Sequence, residues 1–429
     1  MAVRSLRDLY DEFRAANGIR DNRPGKILDE GAMSKLMQLF LAFGVQVKAS
    51  DIHFEPILAG ARLRYRIDGI LHDMLTISPE MRDPLVRAIK VRAGMTNDGP
   101  GRSKPQDSRF DFEVDGHNLD LRLSSFPTLF GDVVAIRILD RSRSLFKLED
   151  LGFPPQVLKA FETLIKRPNG FVLVTGPTGV GKTTTLYAAL NKIRSPRVKM
   201  VTLEDPVEYQ MDGVNQGQIN PAVGLTFASG LRAILRQDAD VILVGEIRDK
   251  ETAEIAIRAA LTGHLVFSTM HARHSLGATT RLLDMGVEPH MILASVTGIV
   301  AQRLVRLVCR QCRQPDRLAI ENFERLWAQE TGNAPLIGDL KLVKGQGCAL
   351  CNGTGYVGRI GVVELLVLTD DLRQMILDRA THHIYRGALS GTKLRTMLTD
   401  GLEKAAQGMT TVEEVLRVMD ESEMEDIAG

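Results

Sequence analysis

Gly176 to Thr183 reads GPTGVGKT, set between an apolar run, Phe171–Val174, and a helix-like segment, Thr184–Leu190. A strand, a glycine-rich turn and a helix start in that order form a phosphate-binding loop. Gly176 and Gly181 let backbone N–H groups curl around phosphate oxygens, with Pro177, Thr178, Gly179 and Val180 between them. Lys182 adds a point charge at the β/γ phosphates, and Thr183 is the Mg²⁺ ligand. Thr184 continues the helix, whose positive dipole end faces the same anions. The motif in this setting implies a nucleoside triphosphate.

Working outward, apolar strands alternate with helical segments: Val198–Leu203, Val241–Val244 and Leu265–Thr269 follow the loop's own strand. That alternation predicts an α/β domain with a parallel sheet covered on both faces. Ligands of such sheets bind at the carboxyl ends of the strands, so the residues just past each run are the candidates for chemistry. In DVILVGEIRD, Asp240–Asp249, the carboxylate of Glu246 lies at such an end. An acidic residue there is by itself a helix cap; in one domain with a phosphate loop it reads as the group that polarises the attacking water or holds Mg²⁺ through water. TLEDPVEY, Thr202–Tyr209, packs Glu204, Asp205 and Glu208 around one proline, and carboxylates that close call for a cation. His264 and His271 bracket LVFSTM and stand as candidates for phosphate contact. Arg122, Arg137, Arg232 and Arg236 are possible partners for transition-state charge, although composition alone leaves them as surface ion pairs.

Four cysteines in 429 residues do not make a disulfide scaffold. They fall as two CxxC pairs, Cys309/Cys312 and Cys348/Cys351, separated by residues 313 to 347, a pattern that suits a closed tetrahedral Zn²⁺ clip. Lys plus Arg number 54 against 53 Asp plus Glu, so no global field draws the chain to nucleic acid or anionic lipid. The opening MAVRSLRDLYDEF lacks a secretory apolar core, and the interrupted run Leu36–Val47 is too short to span a bilayer. The expectation is a cytoplasmic protein.

The length predicts several domains. Residues 1–30 read as a short helix and linker. Residues 31–140 read as an α+β domain, with an amphipathic helix over Gly31–Lys48, a second at Met81–Ala93, and hairpins turning at Asp68-Gly69 and Asp115-Gly116. A hinge at 141–151 leads to the ATPase-type domain, 152–300. Residues 301–365 carry the cysteines, 366–429 read as a helical tail, and past Val296 the chain is expected to be mostly helical.

ASDIHFEP (Ala49–Pro56), KPQDSR (Lys104–Arg109), the phosphate loop, LEDPVEY, LRAILRQDADVILVGEIRD, TGHLVFSTMHA, QRLVRLVC and GTGYVGRIGVVELL occur in this order. Together they resemble the ATPases of type II secretion and type IV pilus assembly, over roughly Gly31 to Met419. The resemblance implies a homohexameric cytoplasmic Mg-ATP hydrolase, with a PAS-like domain before a RecA-like one and nucleotide between them. Lys182 and Thr183 match its Walker A positions, Glu246 the Walker B glutamate, Glu204, Asp205 and Glu208 the aspartate box, and His264 and His271 the histidine box. Arg122, Arg137, Arg232 and Arg236 fall on arginines the family directs toward nucleotide. Glu246 is the preferred water-activating group and Glu208 the second candidate. The resemblance also implies zinc at the cysteine clip and, as partners, the cytoplasmic part of an inner-membrane platform protein and a further membrane-anchored assembly protein, with no specific nucleic acid. A nucleic-acid-translocating hexamer is the alternative reading. Ala272–His274 departs from the family's Thr-Asn-Asp-like run, Gly131-Asp132 replaces a more usual Gly-Glu, and the start is short for the extra docking domain of many relatives.

Overall fold

Asp68-Gly69 and Asp115-Gly116 both adopt positive φ at each residue (49° and 87°, 50° and 78°), the backbone a two-residue hairpin turn demands. In the computed structural model, which describes residues 5–17, 30–96, 104–140, 146–333, 340–368, 373–374 and 394–419, these turns organise the first of two units, Met1–Ser144 and Leu145–Gly429. Unit 1 runs α1 (Leu6–Ala16), α2 (Glu30–Gln46), β1 (Asp51–Ile57), β2 (Gly60–Ile67), β3 (Ile70–Ile77), α3 (Pro79–Arg92), β4 (Gln106–Val114), β5 (His117–Thr128) and β6 (Gly131–Asp140). The strands form one antiparallel sheet in the order β3-β2-β1-β6-β5-β4.

Alternation in β1 and β2 buries Ile52, Phe54, Leu63 and Tyr65 on one face, against Met33, Leu36, Met37, Phe40 and Leu41 of α2. Each large side chain so buried contributes about 1.5–3 kcal/mol. Gly44 lets α2 approach closely, since a Cβ there would sit 3.0 Å from Ile138 Cδ1. Tyr65 satisfies its buried hydroxyl by donating to the Phe40 carbonyl at 2.9 Å. The opposite face carries charge: Glu55 accepts from Arg62 and Arg64, and Arg137 Nε donates to Asp51 at 3.0 Å.

Unit 2 contains α4 (Pro155–Ile165), β7 (Gly170–Thr175), α5 (Lys182–Ile193), β8 (Met200–Glu204), β9 (Asn215–Gln218), α6 (Phe227–Ile234), β10 (Val241–Val244), α7 (Lys250–Leu261), β11 (Leu265–Met270), α8 (Ser275–Asp284), α9 (Pro289–Ser295), β12 (Val296–Val308), β13 (Arg313–Pro315), α10 (Ile320–Thr331), β14 (Val343–Gly345), β15 (Tyr356–Leu366), α11 (Met397–Ala406) and α12 (Val412–Val418). Its main sheet has the order β15-β12-β7-β11-β10-β8-β9, parallel throughout except for the antiparallel β15. Strands β7, β10 and β11 are buried at every residue, as central strands covered on both faces must be. Phe161, Leu186, Tyr187 and Leu190 of α4 and α5 pack on one face. Leu231, Ala256, Ile257, Leu282 and Ile292 of α6 to α9 pack on the other.

The stretch beyond Val296 corrects the expectation of a mostly helical chain. It contributes β12 and β15, two of the longest strands among the described residues, paired from Ile299↔Leu366 to Val308↔Tyr356. Residues Val296, Ile299, Val300, Leu304 and Leu307 are spaced as a helix would space them, and near-continuous burial removes the period-two signature of a strand. Strand β12 also crosses the expected domain boundary at residue 300. Helices α10, α11 and α12 pack on these strands through Phe323, Leu326, Leu402 and Val415. The expected linker around Asn22, Pro24 and Gly25, residues 141–145 of the hinge and most of 369–393 lie outside the described residues.

Candidate active site

The phosphate loop leaves β7 at Thr175 and enters α5 at Lys182. Gly176, Gly179 and Gly181 take φ values of 146°, 81° and 86°, conformations open to glycine and strained for other residues. Pro177, Thr178 and Val180 complete the turn, and Thr183 and Thr184 lie in the first turn of the helix. Lys182 Nζ donates to the carbonyls of Gly176 and Pro177, both at 2.8 Å, so the ammonium folds back over the loop that frames it. Burial pushes its pKa down to about 8, opposed by the nearby Glu246 and reinforced by Arg303. An anion in the loop restores the charged form.

Phosphate affinity is therefore expected to depend on pH. An ammonium attracts phosphate only when protonated, and bound phosphate would raise its pKa, so affinity is expected to be full below pH 8 and to fall above it. The dissociation constant for Mg-ADP is expected to rise about tenfold between pH 7 and pH 9. Titration calorimetry across that range measures it, and a flat profile would remove Lys182 from the binding event.

Strand β10 delivers Glu246 to the same sheet edge. The strand ends are bound together by Gly245 N–H to Leu203 O at 2.8 Å, Thr269 Oγ1 to Gly245 O at 2.7 Å and Ile247 N–H to Thr269 O at 3.0 Å. Glu246 is largely buried, with Arg248 at 2.6 Å and His271 Nε2 at 3.9 Å. Burial and the charge of Lys182 lower the His271 pKa, which favours the neutral imidazole. Lys182, Glu246 and His271 are thereby brought into one electrostatic neighbourhood at the carboxyl ends of β7, β10 and β11.

Other expected residues are placed elsewhere. Glu204 does not share an opening with Asp205 and Glu208: it turns inward, 3% exposed, accepting from Thr202 Oγ1 at 2.6 Å and from the Tyr187 hydroxyl. Burial raises its pKa, and Gln216 Nε2 adds a longer contact at 3.4 Å. Asp205 is exposed at the strand end, while the Glu208 N–H donates to Tyr187 Oη at 3.4 Å. His264 sits at the start of β11, the edge away from the phosphate loop, its ring bonded to the Ala259 carbonyl at 2.9 Å. Within its own chain it does not join His271. Arg232 pairs with Glu251 across α6 and α7, and Arg236 donates to the Arg232 carbonyl at 2.9 Å. Arg122 and Arg137 of unit 1 are direct cross-strand partners, with Arg109 next in the same row. Asp51 beside Arg137 and Asp120 beside Arg109 offset the repulsion between these like charges.

The four cysteines converge from the end of β12 and the turn before β15, with all sulfurs within 4.8 Å of one another. Sγ–Sγ separations are 3.8 Å for Cys309–Cys348, 3.9 Å for Cys312–Cys351 and 3.7 Å for Cys348–Cys351. Tetrahedral Zn–S bonds of about 2.3 Å require sulfurs about 3.8 Å apart, so the donor set fits that ion. Burial raises the Cys351 thiol, but N–H groups of Cys348 and Gly355 outweigh it and bring the pKa to about 7, while burial pushes its neighbour Cys312 up to about 11.

Several residues of the site carry no signal in a linear reading. Tyr187 and Gln216 hold Glu204, Arg248 holds Glu246, and Gln302 and Arg303 of β12 flank the loop. Their ordinary residue types gain meaning through packing.

A family model described as type II/IV secretion system protein matches residues 26–417. The chain belongs to that family. Its relatives include the type II secretion system protein E of Dickeya dadantii, 45% identical over 397 residues, covering 92% of this chain and 77% of that protein. The type II secretion system ATPase E of Vibrio cholerae is 43% identical, covering 92% and 76%. The type IV pilus assembly ATPase PilB of Thermus thermophilus is 42% identical, covering 91% of this chain and 43% of its own length. Among solved structures, the pilus retraction motor PilT with bound ADP superposes with a TM-score of 0.58 at 27% identity, covering 91% of this chain and 99% of PilT. The Legionella pneumophila ATPase DotB shares the fold, with a TM-score of 0.63 at 20% identity over 90% of this chain and 95% of DotB. Among the described residues no helix is long and apolar enough to cross a membrane.

Proposed function

We propose that this chain is a Mg-ATP-hydrolysing motor that works as a ring of six copies and powers assembly of a type IV pilus or a type II secretion pseudopilus. The observation that carries the reading is the meeting of Lys182, Glu246 and His271 at the carboxyl edge of one parallel sheet, beside an intact phosphate loop, in a member of the type II/IV secretion family. Loop N–H groups and Lys182 hold the phosphates, and Glu246 orients and deprotonates the attacking water. His271, kept neutral, is suited to a hydrogen bond with the terminal phosphate. Mg²⁺ beside Thr183, with Asp205 and Glu208 holding its waters, would neutralise charge on the phosphate oxygens.

Glu204 serves that acidic cluster by fixing Tyr187 of α5 rather than by facing solvent. His264 lies at the edge of β11 away from the loop, a location that suits contact with a neighbouring copy, and Arg232 on α6 and Arg236 just past its end are assigned the same role. Arg122 and Arg137, adjacent across β5 and β6, are the arginines of unit 1 assigned to nucleotide contact. Zn²⁺ held by Cys309, Cys312, Cys348 and Cys351 would staple the end of β12 to the segment before β15. The ring acts at the cytoplasmic face of the inner membrane, through a platform protein.

Phosphate release from Mg-ATP by a species of six-chain mass, measured by light scattering, tests the reading. Glu246→Gln is expected to slow turnover at least about 100-fold while nucleotide affinity stays within a few-fold. A Glu246→Gln ring that hydrolyses ATP as fast as the original would overturn the mechanism.

A further inference from the structure

Gln302, 2% exposed in the middle of β12, plays no part in the steps of hydrolysis. Register pairs Ala301 with Thr175, so Gln302 is level with Gly176, where the phosphate loop departs from the sheet. Its amide makes two hydrogen bonds of opposite sense. Nε2 donates to the Val180 carbonyl at 2.9 Å, and Oε1 accepts from the Thr185 hydroxyl at 2.7 Å. Thr185 is fully buried on α5. The loop rests against the same residue at both ends: a Cβ on Gly176 would lie 2.5 Å from the Gln302 carbonyl oxygen, and one on Gly181 would lie 3.1 Å from Nε2.

The orientation of one peptide gives the contact its consequence. A trans peptide carries its C=O and N–H on opposite sides. With the Val180 carbonyl fastened to Gln302, the Gly181 N–H is directed away from β12, toward the cradle in which loop N–H groups meet phosphate. Gly181 has φ +86°, and glycine tolerates either orientation of the preceding peptide, so nothing local to the loop prevents a flip. A flipped peptide would turn a carbonyl oxygen toward the phosphate and replace attraction with repulsion. The side chain that prevents this must donate to the Val180 carbonyl, which a carboxamide does and a carboxylate or an alkyl group does not, while the Thr185 hydroxyl occupies the amide's oxygen end.

We propose that Gln302 is a positioning residue for nucleotide, locking the Val180–Gly181 peptide in the orientation that phosphate binding requires. The proposal rests on reading the loop as the Mg-ATP site. It acts through the loop backbone and involves no contact of Gln302 with nucleotide.

Calorimetric titration of the full chain with Mg-ADP and with a Mg-bound non-hydrolysable ATP analogue, paired with thermal melts without ligand, tests it. Gln302→Glu keeps an acceptor for Thr185 and loses the donor to Val180; Gln302→Met keeps the volume and loses both bonds. Both are expected to weaken nucleotide at least about tenfold, the effect of losing one charge-assisted loop contact. Thr185→Val, which leaves the Val180 bond in place, is expected to change affinity less than about threefold. Lys182→Ala is the comparator: normal binding there would refute the nucleotide site itself. Loss of binding in Lys182→Ala, with affinity unchanged in both Gln302 variants, would overturn this proposal alone. A Gln302 variant that melts earlier yet binds nucleotide normally also overturns it, because the amide would then serve packing only. Should Gln302→Met fail to fold, Gln302→Glu, which retains the Thr185 bond, is decided by the same affinities.

Discussion

Lys182→Ala is expected to abolish Mg-ATP turnover while the melting temperature of the ligand-free chain stays within about 5 °C of its original value. The two halves of this expectation have one cause. The Lys182 ammonium is held over the loop by the Gly176 and Pro177 carbonyls, and burial has already lowered its pKa to about 8. Removing a cation that the folded chain desolvates relieves one unfavourable term as it deletes two hydrogen bonds, so the net stability change is small. Phosphate binding has no such compensation. A charge at the developing phosphoryl anion contributes about 3–4 kcal/mol in a water-poor site, or a factor of several hundred in rate, on top of the loss in affinity. Phosphate-release kinetics and a circular dichroism melt on the same sample provide both measurements. Substantial turnover by Lys182→Ala would show that the loop is not where ATP is cleaved.

The second large effect concerns the cysteine centre. Cys351→Ser, or removal of metal with a strong chelator, is expected to eliminate one equivalent of zinc per chain and to lower the melting temperature of unit 2 by about 10 °C. That shift corresponds to a loss of about 6 kcal/mol in a unit of this size. The cluster bears on more than its own turns. Cys309 N–H donates to the Gly355 carbonyl at 2.8 Å, Val308 N–H to the Met409 carbonyl at 2.9 Å, and Gln346 N–H to the Cys312 carbonyl at 3.1 Å. Strand β12, β15 and the segment joining α11 to α12 therefore all end near one point. Arg306 adds to the same junction, stacking over Tyr356 at 4.1 Å and bonding Glu414 at 2.7 Å. Elemental analysis with calorimetric melting decides the matter. Zinc absent from freshly purified chain, with stability unaltered by Cys351→Ser, would mark the four thiols as ordinary buried side chains.

These two effects differ from the rest in how far they could be anticipated. Each depends on short motifs whose residues are neighbours in the chain: GPTGVGKT for the loop, two CxxC pairs for the clip. Local spacing determines local geometry, so the loop, its strand and helix, both Asp-Gly hairpins and the position of Glu246 at a strand end were legible from the chain alone. Strand β12 was not, since its burial on both faces leaves an apolar spacing that a helix also satisfies. The histidines show the limit in another form. His264 and His271 flank a six-residue strand, and a strand rising about 3.3 Å per residue carries its two ends to opposite edges of the sheet.

Side-chain direction is the remaining gap. Glu204, Asp205 and Glu208 read as one acidic group along the chain, yet the inward turn of Glu204 depends on α5 packing on the sheet so that Tyr187 reaches the end of β8. Gln302 is an ordinary polar residue in an apolar run until β12 is laid beside β7, with Ala301 paired to Thr175. The amino-acid order thus settled which chemical groups exist and the short-range backbone that presents them, because phosphate loops, turns and thiol pairs are built within a few residues. Which groups meet was settled by long-range strand order, burial and the direction each side chain takes from the sheet, quantities that neighbouring residues do not encode.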